Sequence, residues 1–229
     1  MREIVLDTET TGLDPDEGDR IVEIGCVELE QHVPTGKTRC WYINPQRKMP
    51  TAAFDVHGLS DEFLRDKKIF AQVVDDFLEF IGDATLVIHN ASFDIKFLNA
   101  ELTREQRPVL RNDVEDTLEL ARRRFPGSPA SLDALCRRFR IDNGVREKHS
   151  ALIDSKLLAE VYLELRGGRQ PDFRLNTQTR AKATTETSGS WCVYPRRVPL
   201  KPRLTKEERI DHAKFVEELG PDTLWPRSS

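Results

Sequence analysis

The first part of the chain alternates short apolar runs with turn-forming residues. Strand-like segments cover residues 4–8, 20–29 and 39–43, and Gly, Asp and Pro residues separate them. Because these segments follow one another with only short connections, we expect three antiparallel strands joined as a meander.

Beyond residue 69 the apolar positions change to helical spacing. Apolar side chains recur every three or four residues over 70–81, and Gly82 ends the run. Residues 85–88 predict a short strand that is buried on both faces, and a helix is predicted directly after it over 92–102. Three further helices are predicted at about 116–125, 131–139 and 150–166. Strands followed by alternating helices indicate an α/β fold.

Length and cysteine spacing limit the possible classes of protein. A chain of 229 residues is long enough for one sizeable domain with an appended segment. It has no apolar run approaching the roughly 18 residues that span a bilayer, and it begins with a strand-like segment instead of a signal peptide, so we expect a cytoplasmic protein. The cysteines show no CxxC spacing, which argues against a zinc site or a disulfide framework; they are Cys26, Cys40, Cys136 and Cys192.

Composition and charge divide the chain after Gly168. Residues 169–203 carry eight Lys or Arg against two Asp or Glu and few aliphatic side chains, which predicts a basic flexible linker. The net charge is -4 overall, and residues 1–168 alone carry -8. An acidic domain cannot hold nucleic acid by neutralising phosphates in bulk. If it acts on nucleic acid, something else must help to hold the substrate there.

The last segment is amphipathic. Over residues 205–219, Ile210 and Phe215 stand among charged residues, and Thr205 and Glu208 occupy the positions of a capping box. Together with Trp225 beyond it, this segment is a candidate helix for docking to a partner.

Two acidic residues follow the first apolar segment. Asp7 and Glu9 are two positions apart, so they point to the same face of the sheet if the strand continues through them. Adjacent carboxylates repel each other unless cations join them. The alternative is a turn that begins at Asp7 and closes at Gly12, and this pair by itself favours the turn.

A third acid follows the apolar strand at 85–88. Residues 89–94 read HNASFD, which places Asp94 in the first turn of the next helix, where negative charge is favoured. The alternative is a structural role in which Asn90 or Ser92 caps the helix. Capping would explain Asn90 and Ser92 but gives no reason for Asp94, and this motif alone leaves both interpretations open.

His149 and Asp154 lie five residues apart near the start of the last long helix of this domain. Several carboxylates can hold two divalent cations, Mg²⁺ or Mn²⁺, which clamp a phosphodiester for hydrolysis. A histidine can take the proton from the attacking water without binding metal itself. The chain supplies every residue type that this chemistry requires, although a single histidine so placed is usually structural.

Three segments together resemble the exonuclease motifs of the DEDDh family, in the same order. They are residues 7–12 (DTETTG), 89–94 (HNASFD) and 149–154 (HSALID). Segments 21–25, 56–59 and 131–136 extend the resemblance to the proofreading exonuclease subunits of bacterial DNA polymerase III, over residues 1–168. This implies removal of mispaired nucleotides from DNA 3′ ends. It also implies an RNase H-like fold, with a mixed sheet between helices and a largely flexible C-terminal tail.

The resemblance also implies roles for individual residues. Asp7 would bridge two cations, Glu9 and Asp154 would complete one metal site, and Asp94 would support the other. His149 would be the general base. The pocket for the terminal nucleotide would be formed by Thr10, His57, His89, Asn90 and Phe93.

The tail carries further implications of the same resemblance. Residues 170–175 resemble a sliding-clamp-binding peptide with Gln170, Phe173 and Leu175 as its contacts, and a plain linker is equally open. The final helix resembles the segment that binds the polymerase III alpha subunit, and a small stabilising theta-like subunit is a further implied partner. The predicted organisation is an exonuclease domain over 1–168, a basic linker over 169–203 and a polymerase-docking segment over 204–229.

Two other functions fit parts of the sequence. A free-standing DEDDh exoribonuclease, such as an oligoribonuclease or ribonuclease T, would share the motifs but has no evident use for a partner-like tail. A polymerase or clamp adaptor with a vestigial site would share the tail. The presence of four carboxylates and the histidine argues against a vestigial site.

Overall fold

The computed structural model describes residues 1–144, 148–168 and 205–218. Within residues 1–144 it contains a five-stranded sheet in the order β3-β2-β1-β4-β5. Strands β1, β2 and β3 are antiparallel neighbours, whereas β4 pairs with β1 and β5 pairs with β4 in parallel. The bounds are β1 Arg2–Thr10, β2 Ile21–Glu30, β3 Val33–Tyr42, β4 Thr85–Ile88 and β5 Val114–Asp116. The predicted meander and the mixed sheet are both confirmed.

Eight α-helices are described. They are α1 Thr51–His57, α2 Asp61–Leu64, α3 Val74–Ile81, α4 Ala91–Arg104, α5 Thr117–Arg124, α6 Leu132–Phe139, α7 Ala151–Leu165 and α8 Lys206–Glu218. The helix predicted over 70–81 is confirmed only from Val74, because Phe70–Gln72 forms a 3₁₀ turn and Val73 departs from regular helical dihedrals (φ -114°). Helices α1 and α2 and strand β5 were not predicted from the sequence. Each is seven residues or fewer, which is too short to show a clear period.

The core is divided between the two faces of the sheet, and β1 contributes to both. Ile4 and Leu6 pack with α3 and α4 on one face, in a cluster that includes Phe77 and Phe97. Val5 packs on the opposite face against α7, in a cluster with Leu158 and Tyr162. Because successive side chains of a strand alternate between faces, this continuous apolar run is the pattern of a strand covered on both sides.

Residues 1–173 and 174–229 form two separate units. In the second unit, the capping box of α8 is present, since Glu208 N–H donates to Thr205 Oγ1 (3.2 Å) and Thr205 N–H donates to Glu208 Oε2 (2.8 Å). The predicted linker over 169–203, the peptide with Gln170, Phe173 and Leu175, and Trp225 lie outside the described residues. Within the described ranges, every helix is too short or too polar to span a bilayer. Cys26, Cys40 and Cys136 are not in disulfide bonds.

Candidate active site

Asp7 and Glu9 lie on β1 itself. The strand continues to Thr10, with Asp7 opposite Gly25 and Glu9 opposite Glu23 on β2, so the interpretation of a turn beginning at Asp7 is wrong. Val5, two residues earlier, packs against α7. Because side chains two apart share a face, Asp7 and Glu9 also lie on the α7 side of the sheet.

Gly25 lets α7 approach this face closely. A Cβ atom at residue 25 would lie 2.2 Å from the backbone carbon of Ala151, so only glycine fits beneath the first turn of the helix. Ser155, which is fully buried, donates from Oγ to the Gly25 carbonyl oxygen (2.9 Å). These two contacts place the N-terminal turn of α7, and therefore Asp154, beside the acids of β1.

Glu9 of β1 and two residues at the start of α7 form one cluster. Ligand atoms of Glu9, His149 and Asp154 all lie within 4.8 Å of one another. His149 Nδ1 and Asp154 Oδ2 are 3.2 Å apart, so the carboxylate orients the imidazole. Glu9 and Asp154 are 9% and 3% exposed, whereas the His149 side chain is 47% exposed. This set of oxygen and nitrogen donors can hold a divalent metal ion.

Asp94 lines the same cavity as Glu9 and Asp154, but it reaches this cavity from the other face of the sheet. It lies in the first turn of α4, as predicted, and its Oδ1 accepts a hydrogen bond from Thr8 Oγ1 (2.7 Å). Thr8 has the side-chain direction of Leu6, which faces α3 and α4. Burial raises the pKa of Asp94 to about 7, and the Thr8 hydrogen bond partly opposes this rise.

A strained turn precedes α4. Asn90 adopts a left-handed conformation (φ 66°) and makes no side-chain cap, so the interpretation of Asn90 as a capping residue is wrong. Ser92 lies inside the helix rather than at its cap position. The Asp116 carboxylate instead accepts hydrogen bonds from the backbone N–H groups of Asn90 (3.1 Å) and Ala91 (3.0 Å). This contact offsets the cost of the left-handed residue and fixes the loop at the cavity.

His89 is held in the same turn. Its Nδ1 lies 2.9 Å from Thr117 Oγ1, and burial lowers the pKa of its imidazole. The ring is therefore disposed to remain neutral and to act as a hydrogen-bonding group.

These elements enclose a cavity of about 310 Å³. The predicted site residues that line it are Asp7, Glu9, His89, Asn90, Phe93, Asp94, His149 and Asp154. Four other lining residues had no predicted role; they are Thr8, Ser131, Leu132 and Asp133. A possible signal was Ser131 as a helix N-cap with Asp133 in the first turn, which marks a helix start but not its position at the site.

Thr10 and His57 were predicted to contact the nucleotide but do not line this cavity. Thr10 Oγ1 donates to the Gly12 carbonyl (2.6 Å), and Nδ1 of the buried His57 accepts from Leu59 N–H (3.0 Å). Their contact with substrate stays a prediction. A larger cavity, about 620 Å³, lies near the N-terminal end of β1, where Arg2 and Glu28 form an ion pair (2.8 Å); it contains none of the predicted site residues.

Comparison with known proteins identifies the class that this fold and site define. A family described as "Exonuclease" matches residues 4–162, and the chain belongs to this exonuclease family. A solved structure of exonuclease X in complex with 5′ overhanging duplex DNA is similar, with a TM-score of 0.58 and 25% identity over 71% of this chain and 90% of that one.

Relatives that match along nearly the whole chain include DNA polymerase III epsilon subunits. The chain is 49% identical over 226 residues to DNA polymerase III subunit epsilon of Rickettsia felis, covering 96% of this chain and 97% of that one. It is 50% identical over 238 residues to DNA polymerase III subunit epsilon of Salmonella typhimurium, covering 98% and 97% of the two chains. The resemblance noted in the sequence is thereby confirmed.

Proposed function

We propose that the chain is the proofreading 3′–5′ exonuclease of a DNA polymerase III, and that it removes mispaired nucleotides from DNA 3′ ends by hydrolysis. The observation that carries this proposal is the cluster of Glu9, His149 and Asp154, whose ligand atoms lie within 4.8 Å. Asp7 and Asp94 line the same cavity from two other positions. Membership of the exonuclease family and similarity to epsilon subunits support it independently.

The donor set fits a pair of divalent cations. The four predicted ligands, Asp7, Glu9, Asp94 and Asp154, present carboxylate oxygens to one cavity of about 310 Å³. Such hard donors suit Mg²⁺ or Mn²⁺. When bound, two such ions would activate a water molecule and stabilise the negative charge that develops on the leaving oxygen.

The side chains of the chain itself would handle the proton and the substrate. His149, oriented by Asp154, takes the proton from the attacking water as general base. Phe93 and the fixed turn at His89 and Asn90 form the wall of the cavity against which the terminal nucleotide would pack. An aromatic ring there suits base stacking, which depends little on base identity, as proofreading requires.

The net charge of the domain and the sequence of the tail both indicate that the chain acts with a partner. The domain over residues 1–168 has a net charge of -8, so its own affinity for DNA is expected to be weak. A polymerase would therefore bring it to the primer end. The C-terminal tail is the proposed contact with the polymerase alpha subunit. Ile210 and Phe215 of α8 are each 56% exposed and available for it. The clamp-binding peptide, a theta-like partner and a cytoplasmic location belong to the same proposal.

A direct test is release of nucleoside 5′-monophosphates from a single-stranded DNA 3′ end with Mg²⁺ or Mn²⁺. Asp7→Ala should abolish release, because it removes a ligand from the centre of the site. Asp16→Ala is the matched control, since this carboxylate is 77% exposed and lies outside the cavity, and it should keep full activity. Full activity of Asp7→Ala would contradict the site assignment.

The same assay separates the alternatives. Preference for RNA over DNA by a large factor would favour a free-standing exoribonuclease. Absence of hydrolysis together with binding to the polymerase would favour an adaptor with a vestigial site.

A further inference from the structure

A further buried carboxylate, Glu23, lies beside the site but does not line its cavity. It is on β2, directly opposite Glu9 on one side and Tyr42 of β3 on the other, and it is 1% exposed. The described hydrogen bonds to it come from two neutral donors, the Ser150 hydroxyl (3.0 Å) and the Cys40 thiol (3.3 Å), both to Oε1. Burial of an acid to this extent costs folding free energy unless its hydrogen bonds compensate.

Two neighbours of Glu23, Cys40 and Tyr42, are disposed to remain neutral. Burial, followed by the charge of Glu23, raises the pKa of Cys40 to about 12 and that of Tyr42 to about 12. Both groups therefore keep their protons at neutral pH, and Cys40 can act as a donor to the carboxylate.

Ser150 uses its hydroxyl in an unusual way. It occupies the N-cap position of α7, where a serine oxygen normally accepts a hydrogen bond from the backbone of the first helical turn. Here it makes no such cap, and Oγ donates to Glu23, 127 residues away in sequence. The local stabilisation of the helix end is replaced by a contact that ties this end to the sheet.

This contact fixes the residue next to His149. The backbone N–H of His149 donates to the Val56 carbonyl of α1 (3.2 Å), and Ser150 is held by Glu23 on β2. The imidazole therefore projects from a segment that is attached at two successive residues, to a helix on one side and to the sheet on the other.

We infer that Glu23 is a positioning residue for His149 and acts through the hydroxyl of Ser150. The inference rests on the proposed function, in which His149 takes a proton from water. Glu23 does not line the cavity and would not touch the substrate, so its role is geometric. Since a displacement of about 1 Å can cost about 100-fold in rate, loss of the contact should lower kcat without weakening substrate or metal binding.

The test uses the full chain with a single-stranded DNA oligonucleotide and saturating Mg²⁺. Ser150→Ala and Glu23→Ala should each lower kcat by about tenfold or more, and KM and the Mg²⁺ midpoint should stay within about twofold. The double variant should be no slower than the slower single variant, because both changes break one contact. Glu23→Gln keeps an oxygen acceptor for the Ser150 hydroxyl and should retain most of kcat.

Two control variants separate a loss of catalytic rate from a loss of protein stability. Cys40→Ala removes the other donor to Glu23 without touching the His149 segment, and kcat should stay near that of the wild type. Glu3→Gln alters another fully buried acid of the same sheet, bound by Tyr162 (2.8 Å), and should change the melting temperature but not kcat. If Glu23→Ala does not fold, Ser150→Ala and Glu23→Gln carry the test.

Three results would overturn the inference. They are a kcat of Ser150→Ala within twofold of the wild type, additive losses in the double variant, or a Glu23→Gln variant that loses activity or Mg²⁺ affinity as strongly as Glu23→Ala. The last result would show that the charge itself is needed. Full activity of His149→Ala would instead refute the general-base assignment of the proposed function, so the two failures are distinguishable.

Discussion

Gly25→Ala is predicted to move α7 away from the sheet and to impair the active site. The added Cβ would lie 2.2 Å from the Ala151 backbone carbon, 2.3 Å from Leu152 N and 2.4 Å from the Ala151 oxygen, whereas ordinary contacts begin near 3.4 Å. The helix must therefore retreat by about 1 Å, since backbone atoms cannot rotate out of the way. That displacement separates Asp154 from Glu9.

The substitution should lower both the free energy of unfolding and the catalytic rate. Overpacking of this kind costs about 1–3 kcal/mol of unfolding free energy. A misplacement of about 1 Å in a catalytic site costs about 100-fold in rate. Both quantities can be measured on one purified variant, by denaturant unfolding and by release of nucleotides from a fluorescent single-stranded DNA 3′ end with Mg²⁺.

A second glycine supplies a matched control. Gly127 has a positive φ (74°), and a Cβ there would meet no atom within 4 Å. Gly127→Ala should therefore cost about 1 kcal/mol through backbone strain while leaving the rate unchanged. A rate for Gly25→Ala within twofold of the wild type would refute the idea that close packing of α7 sets the position of Asp154.

Three further predictions concern the same domain and its tail. Ser155→Ala removes the donor to the Gly25 carbonyl and should cost about 1–2 kcal/mol in denaturant unfolding, with a smaller loss of rate than Gly25→Ala; an equal or greater loss would contradict this. Because burial raises the pKa of Asp94 from 3.8 to about 7, its contribution to the stability of the metal-free protein is fully present below about pH 4 and is lost as pH rises through about 7. Asp94→Asn should therefore raise the melting temperature of the metal-free protein at about pH 8 but not at about pH 4, and an equal gain at both values would refute it. Deleting residues 169–229 should preserve hydrolysis of short single strands and abolish co-purification with the polymerase subunit; retained binding would show that the tail is not the contact.

The sequence was sufficient for the main elements of the fold. The continuous apolar runs at Ile4–Leu6 and in β4 could be identified because a strand covered on both faces has no polar positions. The helices α4 and α7 could be predicted because they are long enough to show several helical repeats. The short β5 consists of Val114, Glu115 and Asp116, and its pairing with β4 depends on contacts that no local pattern encodes.

The candidate ligands were also identified from the sequence, because three motifs in order are far more specific than any one acid. Their arrangement was decided by the tertiary structure. Asp94 reaches the cavity from one face of the sheet, while Glu9 and Asp154 reach it from the other, since Thr8 and Glu9 point in opposite directions. The sequence could not show that α7 rests on Gly25, or that Asp116 fixes the turn at Asn90.

The residues that support the site from outside the cavity, and that had no predicted role, share one property. Glu23, Gly25, Asp116 and Ser155 act on the site through partners that are distant in the chain, so a motif that is local in sequence does not reveal their roles. The sequence by itself determined which chemical groups are present. Only the packing of α4 and α7 on opposite faces of one sheet decided which of them meet, because distances between elements depend on side-chain volume and close approach in the folded core.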